Sequence, residues 1–389
     1  MRRDKAPAVR SEYLVFGRPN FSDEEIAAVT RVMRSGWVGM GPETIEFEKE
    51  LARYTGAPYV LSVSSCTAAL FLSLAARGIG PGDEVICPSL TWCSTANAAL
   101  YLGATPVLCD VDRETLCVTP ETVKACLTEH TRAVMVVHMG GLAPDMAALR
   151  AALPANVAIV EDAAHALGGR YADGRPVGSS GNAVCFSFYA NKNLSTAEGG
   201  AVALFDEAQA ARIASLRQHG LSSDAWKRYS HRTNMLAPGI VELGYKMNFT
   251  DLQACIGRVQ LRRQAEMSAV RQRVAQRYDE RLRELGLDIP LQRDSLAERH
   301  ARHLLVAILP LERMKTTRDE LVLALRSRNI GASIHYTPLH LEPFYAGRCR
   351  SPLSNCDYLG ARIMTLPISA SMTDADVDYV TAHLADLLS

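Results

Sequence analysis

The sequence predicts an α/β protein with a mostly parallel central sheet in a large domain and a smaller α+β domain behind it. Three observations carry that expectation. First, between about residues 59 and 205 short β-branched runs alternate with helical stretches: "YVLSVS", "DEVICP", "PVLCDV", "AVMVVH", "VAIVED", "AVCFSF" and "AVALF". Such alternation is the mark of crossover units with helices on both faces of a sheet. Second, 389 residues exceed what one ordinary core holds, so two domains are expected, 1–250 with a flexible tail over 1–12, and 251–389. Third, the runs end in small or polar residues, "SSCT", "PSLTW", "HMGG", "EDAAH" and "SFYANK". Open α/β sheets bind ligands at those carboxyl ends.

Taken in order, the first element is "FSDEEIAAVTRVMRSG". Ser22 as N-cap and Glu25 three residues on form a capping box, Ile26, Val29 and Met33 share one face, and Gly36 is the stop, which predicts an amphipathic helix. The seven strand runs follow. Residues 222–244 lack a period, are rich in turn formers, and read as a long functional loop. Thr250 with Gln253 caps a long helix through "DLQACIGRVQLRRQAEMSAVRQRVAQRYDERLREL", and "GLDIP", "HARHLLVAILP" and "IGASIHY" read as strands of the smaller domain. The sequence has no internal repeat and no low-complexity segment.

Composition narrows the function. Forty-two basic residues balance forty-two acidic ones, which leaves no field of one sign for a nucleic acid backbone or an anionic membrane surface. No window of about eighteen apolar residues exists and the basic N-terminus lacks an apolar core, so a cytoplasmic protein is expected. The ten cysteines form no CxxC pair and no zinc-spaced cluster with histidine, so no metal is expected and they read as small hydrophobes.

The chemistry-bearing residues gather at the strand ends. "SVSSCTAAL" runs from strand to helix and turns the amides of Ser65, Cys66 and Thr67 outward at a helix N-terminus, which suits a phosphate; a plain N-cap explains the stretch equally well. Neither GxxxxGK[ST] nor GxGxxG is present, which removes the main support for a nucleotide hydrolase or a hydride-transfer enzyme. Asp162 ends a hydrophobic strand, where a carboxylate is costly without a cationic partner such as a protonated pyridine nitrogen. Taken singly it reads as a helix cap, His165 as a packed histidine, Trp92 as core or interface, Ser187 as a small strand residue and Lys192 as a lysine reaching to solvent. Together, a phosphate cradle, an aromatic platform, an acid and a lysine able to form an imine are what pyridoxal 5'-phosphate requires.

On "SGWVGMGPETIEFE", "VSSCTAAL", "PSLTWCSTAN", "GATPVLCDVD", "IVEDAAHA", "FSFYANKNLSTAEGG", "RQHG" and "GYKMNFTDLQA", the chain resembles the DegT/DnrJ/EryC1/StrS sugar aminotransferases of the aspartate aminotransferase fold (fold type I). The resemblance covers nearly the whole chain. It implies that Lys192 carries the cofactor as an imine and Asp162 pairs with its ring nitrogen. Trp92 stacks on the ring where many members have Phe, and His165 lies near the ring hydroxyl. The resemblance also has Ser187 and the 65–67 turn hold the phosphate, joined by Asn248 from the partner of a homodimer with shared sites. Trp37, His335 and Tyr336 are expected to border the substrate, from "SGWVGMG" and "IHYTPLH". The chain departs from the family in Cys66 for a commoner Gly or Ala, which implies an oxidation-sensitive site, and in Ala197 for a frequent Gly, which implies a stiffer loop.

The implied reaction is ping-pong transfer of an amino group from L-glutamate, leaving 2-oxoglutarate, to a nucleotide-linked 4-keto sugar. "SGW", "PSLTW", "EDAAHA", "AEGG" and "GASIHY" are most like members that make UDP-4-amino-4-deoxy-L-arabinose, which implies a UDP-4-keto-pentose, with dTDP-, UDP- or GDP-4-keto-6-deoxyhexoses as the alternative acceptors. Lipopolysaccharide and secondary-metabolite sugars are both compatible with this. Lys192 argues against the dehydratase branch of the fold, which has histidine there. Retention of Lys192 and Asp162 argues against a non-enzymatic scaffold.

Overall fold

The computed structural model describes residues 7–222, 239–293 and 300–389; most of the loop read over 222–244 lies outside them. All seven strand runs form one sheet: β1 (Tyr59–Val63), β2 (Glu84–Pro88), β3 (Thr105–Cys109), β4 (Thr131–Val137), β5 (Ala158–Asp162), β6 (Ala183–Ser187) and β7 (Gly200–Leu204). Their spatial order is β1-β7-β6-β5-β4-β2-β3. The pairs β3/β2, β2/β4, β4/β5 and β5/β6 are parallel, while β7 runs antiparallel to both β6 and β1. Because β7 alone is reversed, its start shares a rim with the carboxyl ends of the others. Both faces are buried, as parallel strands require: Ala183 and Cys185 of β6 face one apolar cluster, Val184 and Phe186 the other.

Helix α1 (Asp23–Ser35) has the expected Ser22/Glu25 capping box and a left-handed Gly36 at its end. Its buried face is not the expected one. Ile26 and Met33 are 64% and 63% exposed, whereas Glu25 and Val32 are buried. Glu25 can be buried because Gln260 Nε2 and Arg263 Nη1 donate to its carboxylate at 2.7 and 2.9 Å. Helix α2 (Pro42–Thr55) has its first turn held by Asp251, whose Oδ1 accepts from Gly41 N and Thr44 N at 2.8 and 2.9 Å. Helix α3 (Cys66–Ala75) is apolar all round and packs against β1, β5, β6, β7 and the helix Ser94–Leu100, so it is buried on every side.

Thr250 and Gln253 form the expected capping box, but the long helix is two, Asp251–Arg262 and Gln264–Glu284, broken at Arg263. The first packs on α1 and α2, the second on the C-terminal helix Asp374–Leu387. A third apolar cluster gathers Val274, Tyr278, Leu325, Met364 and Leu384 around a two-stranded antiparallel sheet. That sheet is β8 (Leu305–Ile308) paired with β9 (Ile363–Leu366); β9 was not read from the sequence. "GLDIP" and "IGASIHY" supply only isolated bridges, at Leu291 just past the first, and at Ile330 and Ser333. No helix of the described residues is long and apolar enough to cross a membrane.

Candidate active site

A cavity of about 470 Å³ opens at the carboxyl rim of the sheet. Ten of the twelve residues singled out in the sequence line it: Ser65, Cys66, Thr67, Trp92, Asp162, His165, Ser187, Lys192, His335 and Tyr336. They come from the ends of β1, β2, β5 and β6 and from one segment of the smaller unit. Convergence follows from topology, since parallel strands deliver their following turns to one rim. Trp37 and Asn248 are not among the lining residues. Trp37 lies against Gly41, where a Cβ would fall 2.0 Å from its Nε1. Asn248 bridges to Val63, and its Nδ2 donates to Phe249 O at 2.9 Å.

At one end is the N-terminus of α3. Ser65 is the N-cap, accepting from Ala68 N at 3.1 Å, so the cap reading holds; the amides of Cys66 and Thr67 lie in the first turn, where a helix supplies no acceptor. Thr67 Oγ1 donates to Ser94 Oγ at 2.8 Å, and Ser187 Oγ accepts weakly from Tyr189 N at 3.4 Å. Burial, with Asp162 beside it, pushes the Cys66 thiol well above its ordinary pKa. The thiol therefore stays protonated, and only a thiolate is readily oxidised; the expectation of an oxidation-sensitive site is not supported.

Asp162 is nearly buried at the end of β5. Thr95 Oγ1 donates to its Oδ2 at 2.8 Å and Ala164 N to its Oδ1 at 3.2 Å, so it caps its own turn and still faces the cavity. Its neighbour Glu161 points through the sheet to a buried set in which Tyr171 Oη and Asn182 Nδ2 donate to it at 2.7 and 2.8 Å and His138 Nε2 lies 3.0 Å away. Strand alternation thus separates the two adjacent acids into an anchor and a site residue.

Lys192 sits in a tight turn after β6, its N–H donating to Tyr189 O at 2.9 Å. The turn is held by Phe188 N to Gly199 O and Thr196 N to Phe188 O, at 2.8 and 2.9 Å. Ala197 adopts a φ of 68° in this segment, the left-handed region that favours the glycine expected there. Burial lowers the Lys192 pKa from 10.5 to about 8, against the opposing pull of Cys66 and Asp162. An amine so tuned is uncharged in a minority of molecules at neutral pH and in most of them above pH 8.

The roof comes from His335 and Tyr336, far along the chain from the sheet. His335 Nδ1 lies 3.0 Å from Thr365 Oγ1, and Tyr336 Oη lies 3.1 Å from His165 Nε2. Tyr336 also approaches Trp92, ring centroids 5.7 Å apart; Trp92 itself is 59% exposed. The segment is fastened to the large sheet by Leu339 N donating to Ser89 O and by Ser89 Oγ with His340 Nδ1, both at 2.7 Å. Burial holds His165 well below its usual pKa and His335 down at about 4, so both are neutral. Sequence reasoning missed Thr95, Tyr189 and His303. Thr95 stood in the quoted "PSLTWCSTAN", three residues past the tryptophan.

The residues fit pyridoxal phosphate. His165 Nδ1 is buried without a hydrogen-bond partner, a helix N-terminus and hydroxyls suit an anion, and the Asp162 carboxylate suits a cation. A lysine of lowered pKa between such groups, on this sheet, is the arrangement of a pyridoxal-phosphate-dependent aminotransferase. Comparison with known proteins agrees: the chain is 42% identical over 385 residues to the spore coat polysaccharide biosynthesis protein SpsC of Bacillus subtilis (strain 168), covering 97% of this chain and 98% of that one. It superimposes on Spr1654 of Streptococcus pneumoniae in its PMP-form with a TM-score of 0.88 at 30% identity, over 96% and 98% of the two chains, and on the PLP-form with 0.87. The aminotransferase TlmJ of Streptoalloteichus hindustanus gives 0.87 at 33% identity, over 97% and 98%. The chain belongs to the DegT/DnrJ/EryC1/StrS aminotransferase family, whose model matches residues 19–385, and is a sugar aminotransferase that uses pyridoxal phosphate.

Proposed function

We propose that the enzyme moves the amino group of L-glutamate to a nucleotide-linked 4-keto sugar, with a UDP-4-keto-pentose as first candidate and 4-keto-6-deoxyhexoses as the alternative. The observation that carries the reading is the lysine: Lys192 is held in the cavity with a pKa lowered to about 8 by burial. When bound, pyridoxal phosphate supplies an aldehyde for the amine donor and a ring that accepts electrons. Lys192 Nζ would hold the cofactor and, when free, would carry the proton from the substrate carbon to the cofactor carbon that bears the aldehyde. Asp162, its Oδ2 held by Thr95, would pair with the ring nitrogen and hold its proton. Ser65, Thr67 and Ser187, with the amide of Cys66, hold the phosphate; Trp92 and His165 orient the ring, and His335 with Tyr336 covers the sugar. The 42% identity to a polysaccharide biosynthesis protein supports a sugar destined for a glycan.

Among the described residues Lys192 is the only basic side chain other than neutral histidines lining the cavity. A phosphate and a nucleotide diphosphate need more donors than that. This supports a homodimer in which Asn248 of the partner subunit completes each site. Ten unpaired cysteines fit a reducing compartment, and we place the enzyme in the cytoplasm. The test is a half-reaction assay: L-glutamate added to cofactor-loaded enzyme should bleach the visible band and release 2-oxoglutarate, and a panel of nucleotide 4-keto sugars should restore it. Failure with glutamate would overturn the donor. Restoration by free keto sugars as readily as by nucleotide-linked ones would overturn the acceptor class.

A further inference from the structure

Lys192 has a neighbour that belongs to no motif of the large sheet. Its Nζ lies 3.4 Å from Nε2 of His303, a residue of the smaller unit that is 3% exposed. The imidazole's orientation and tautomer can be worked out from Asn193. Asn193 Nδ2 faces two carbonyl oxygens, Ala301 O at 2.8 Å and Leu167 O at 3.4 Å, so that end of the amide must be the donor and Oδ1 the acceptor. Oδ1 lies 3.3 Å from His303 Nδ1. Nδ1 therefore carries the proton, and Nε2 turns a lone pair toward the lysine. The ring is held from its other side by His165, centroids 4.6 Å apart, and its backbone N–H donates to Gly140 O at 3.1 Å.

Burial, with Lys192, His165, Arg271 and His335 nearby, drives the His303 pKa well below its usual value. A protonated His303 would present an N–H to the amine and repel it. The neutral ring instead presents the one acceptor that a lysine amine can use in either charge state, since both forms keep N–H donors.

We propose that His303 is a positioning residue for Lys192: Nε2 accepts a hydrogen bond from Nζ and holds the free amine in one conformer, aimed into the cavity, whenever it is not bonded to the cofactor. Asn193, next in sequence to the lysine, sets the tautomer that makes this work. The proposal rests on Lys192 being the attachment lysine. Proximity and orientation are what such a contact supplies, because an amine with several rotamers must otherwise find the reactive one at each turnover.

The test uses the full-length chain freed of cofactor. Pyridoxal phosphate is added, capture is stopped at intervals with borohydride, and peptide mapping by mass locates and quantifies the label. In His303→Leu, capture at Lys192 should slow by roughly three- to tenfold, the range of one lost hydrogen bond. His303→Gln, whose amide oxygen can accept the same bond, should stay within about twofold of wild type. Asn193→Ala frees the ring to turn an N–H to the amine and should also be slow. Wild-type capture by His303→Leu, or His303→Gln as slow as His303→Leu, would overturn the proposal. If His303→Leu does not fold, Asn193→Ala decides, and a wild-type rate there overturns it. Label on another lysine in the wild type would overturn the assignment of Lys192 itself, a failure distinct from label on Lys192 at unchanged rates.

Discussion

Replacing Lys192 by methionine in the cofactor-free chain should stabilise it in a pH-dependent way. The Lys192 pKa is lowered from 10.5 to about 8 on folding, and each pKa unit corresponds to about 1.4 kcal/mol, which makes roughly 3 kcal/mol in all. Below pH 8 the amine is charged in folded and unfolded chains alike, so the folded state carries the whole cost of holding a charge there. Between about pH 8 and 10.5 the folded chain has released the proton while the unfolded chain still binds it, and stability rises with pH wherever the unfolded state binds more protons. The wild type should therefore gain on Lys192→Met by about 3 kcal/mol as pH is raised from 7 to 10.5. Methionine keeps most of the stem and cannot titrate; it also loses the contact with His303, which adds an offset that does not vary with the amine's charge. The change in the difference with pH is the diagnostic, and groups common to both chains cancel in it. The assay is urea unfolding of both chains at one protein concentration across that range. Parallel stability curves, or a wild type that loses ground to the variant as pH rises, would refute the burial argument and with it the explanation of why this lysine is reactive.

Asp162→Asn keeps the shape and removes the charge; transamination should fall on the order of 10²–10³-fold or more, as for loss of a fixed electrostatic partner, while cofactor uptake persists, and near wild-type turnover would reduce Asp162 to a helix cap. Thr95→Val deletes the hydroxyl that donates to Asp162 Oδ2 at 2.8 Å and should lower kcat by roughly three- to tenfold, with a lower melting temperature as well because a buried carboxylate oxygen loses its donor; an unchanged kcat would refute the role. Tyr336→Phe removes the hydroxyl 3.1 Å from His165 and should impair the sugar half-reaction while sparing the glutamate half-reaction; equal effects on both halves, measured in separate single-turnover runs, would refute its place at the sugar.

What was legible in the sequence was local. Ser22, Glu25 and Gly36 bound a helix by chemistry contained within a few residues, and all seven runs of the large sheet announce themselves by β-branched composition. Most of the cavity lining was legible for the same reason, because each of its main pieces is a strand followed by its own turn. The outward face of α1 was not, since Glu25 outranks Ile26 and Met33 for burial only once Gln260 and Arg263 are folded against it. Strand β9 hides in "IMTL", four residues whose partner, Leu305–Ile308, is more than fifty positions away. His303 is separated from Lys192 by 111 residues, and nothing within "HARHLLVAILP" distinguishes a histidine that meets the lysine from one that packs.

Opposed effects act on the Lys192 amine: burial lowers its pKa, while Cys66 and then the negative charge of Asp162 work to raise it. The three histidines around it, 165, 303 and 335, are kept neutral by their own burial and leave that opposition undisturbed. Burial already dominates; a cation seated against Asp162 would cancel the carboxylate's pull on the lysine and leave burial less opposed, which would make the amine a readier base at an unchanged pH. On the proposed reading Asp162 would have two consequences from one charge: it would hold a proton on a ring nitrogen facing it, and by being neutralised it would ease loss of the proton from Lys192. A cationic side chain placed beside the phosphate turn would depress the lysine whether or not the site was filled and would erase that distinction. A cavity bounded by a helix N-terminus, hydroxyls and neutral imidazoles can attract an anion through dipoles that weaken quickly with distance, which leaves the balance at Lys192 to burial, Cys66 and Asp162.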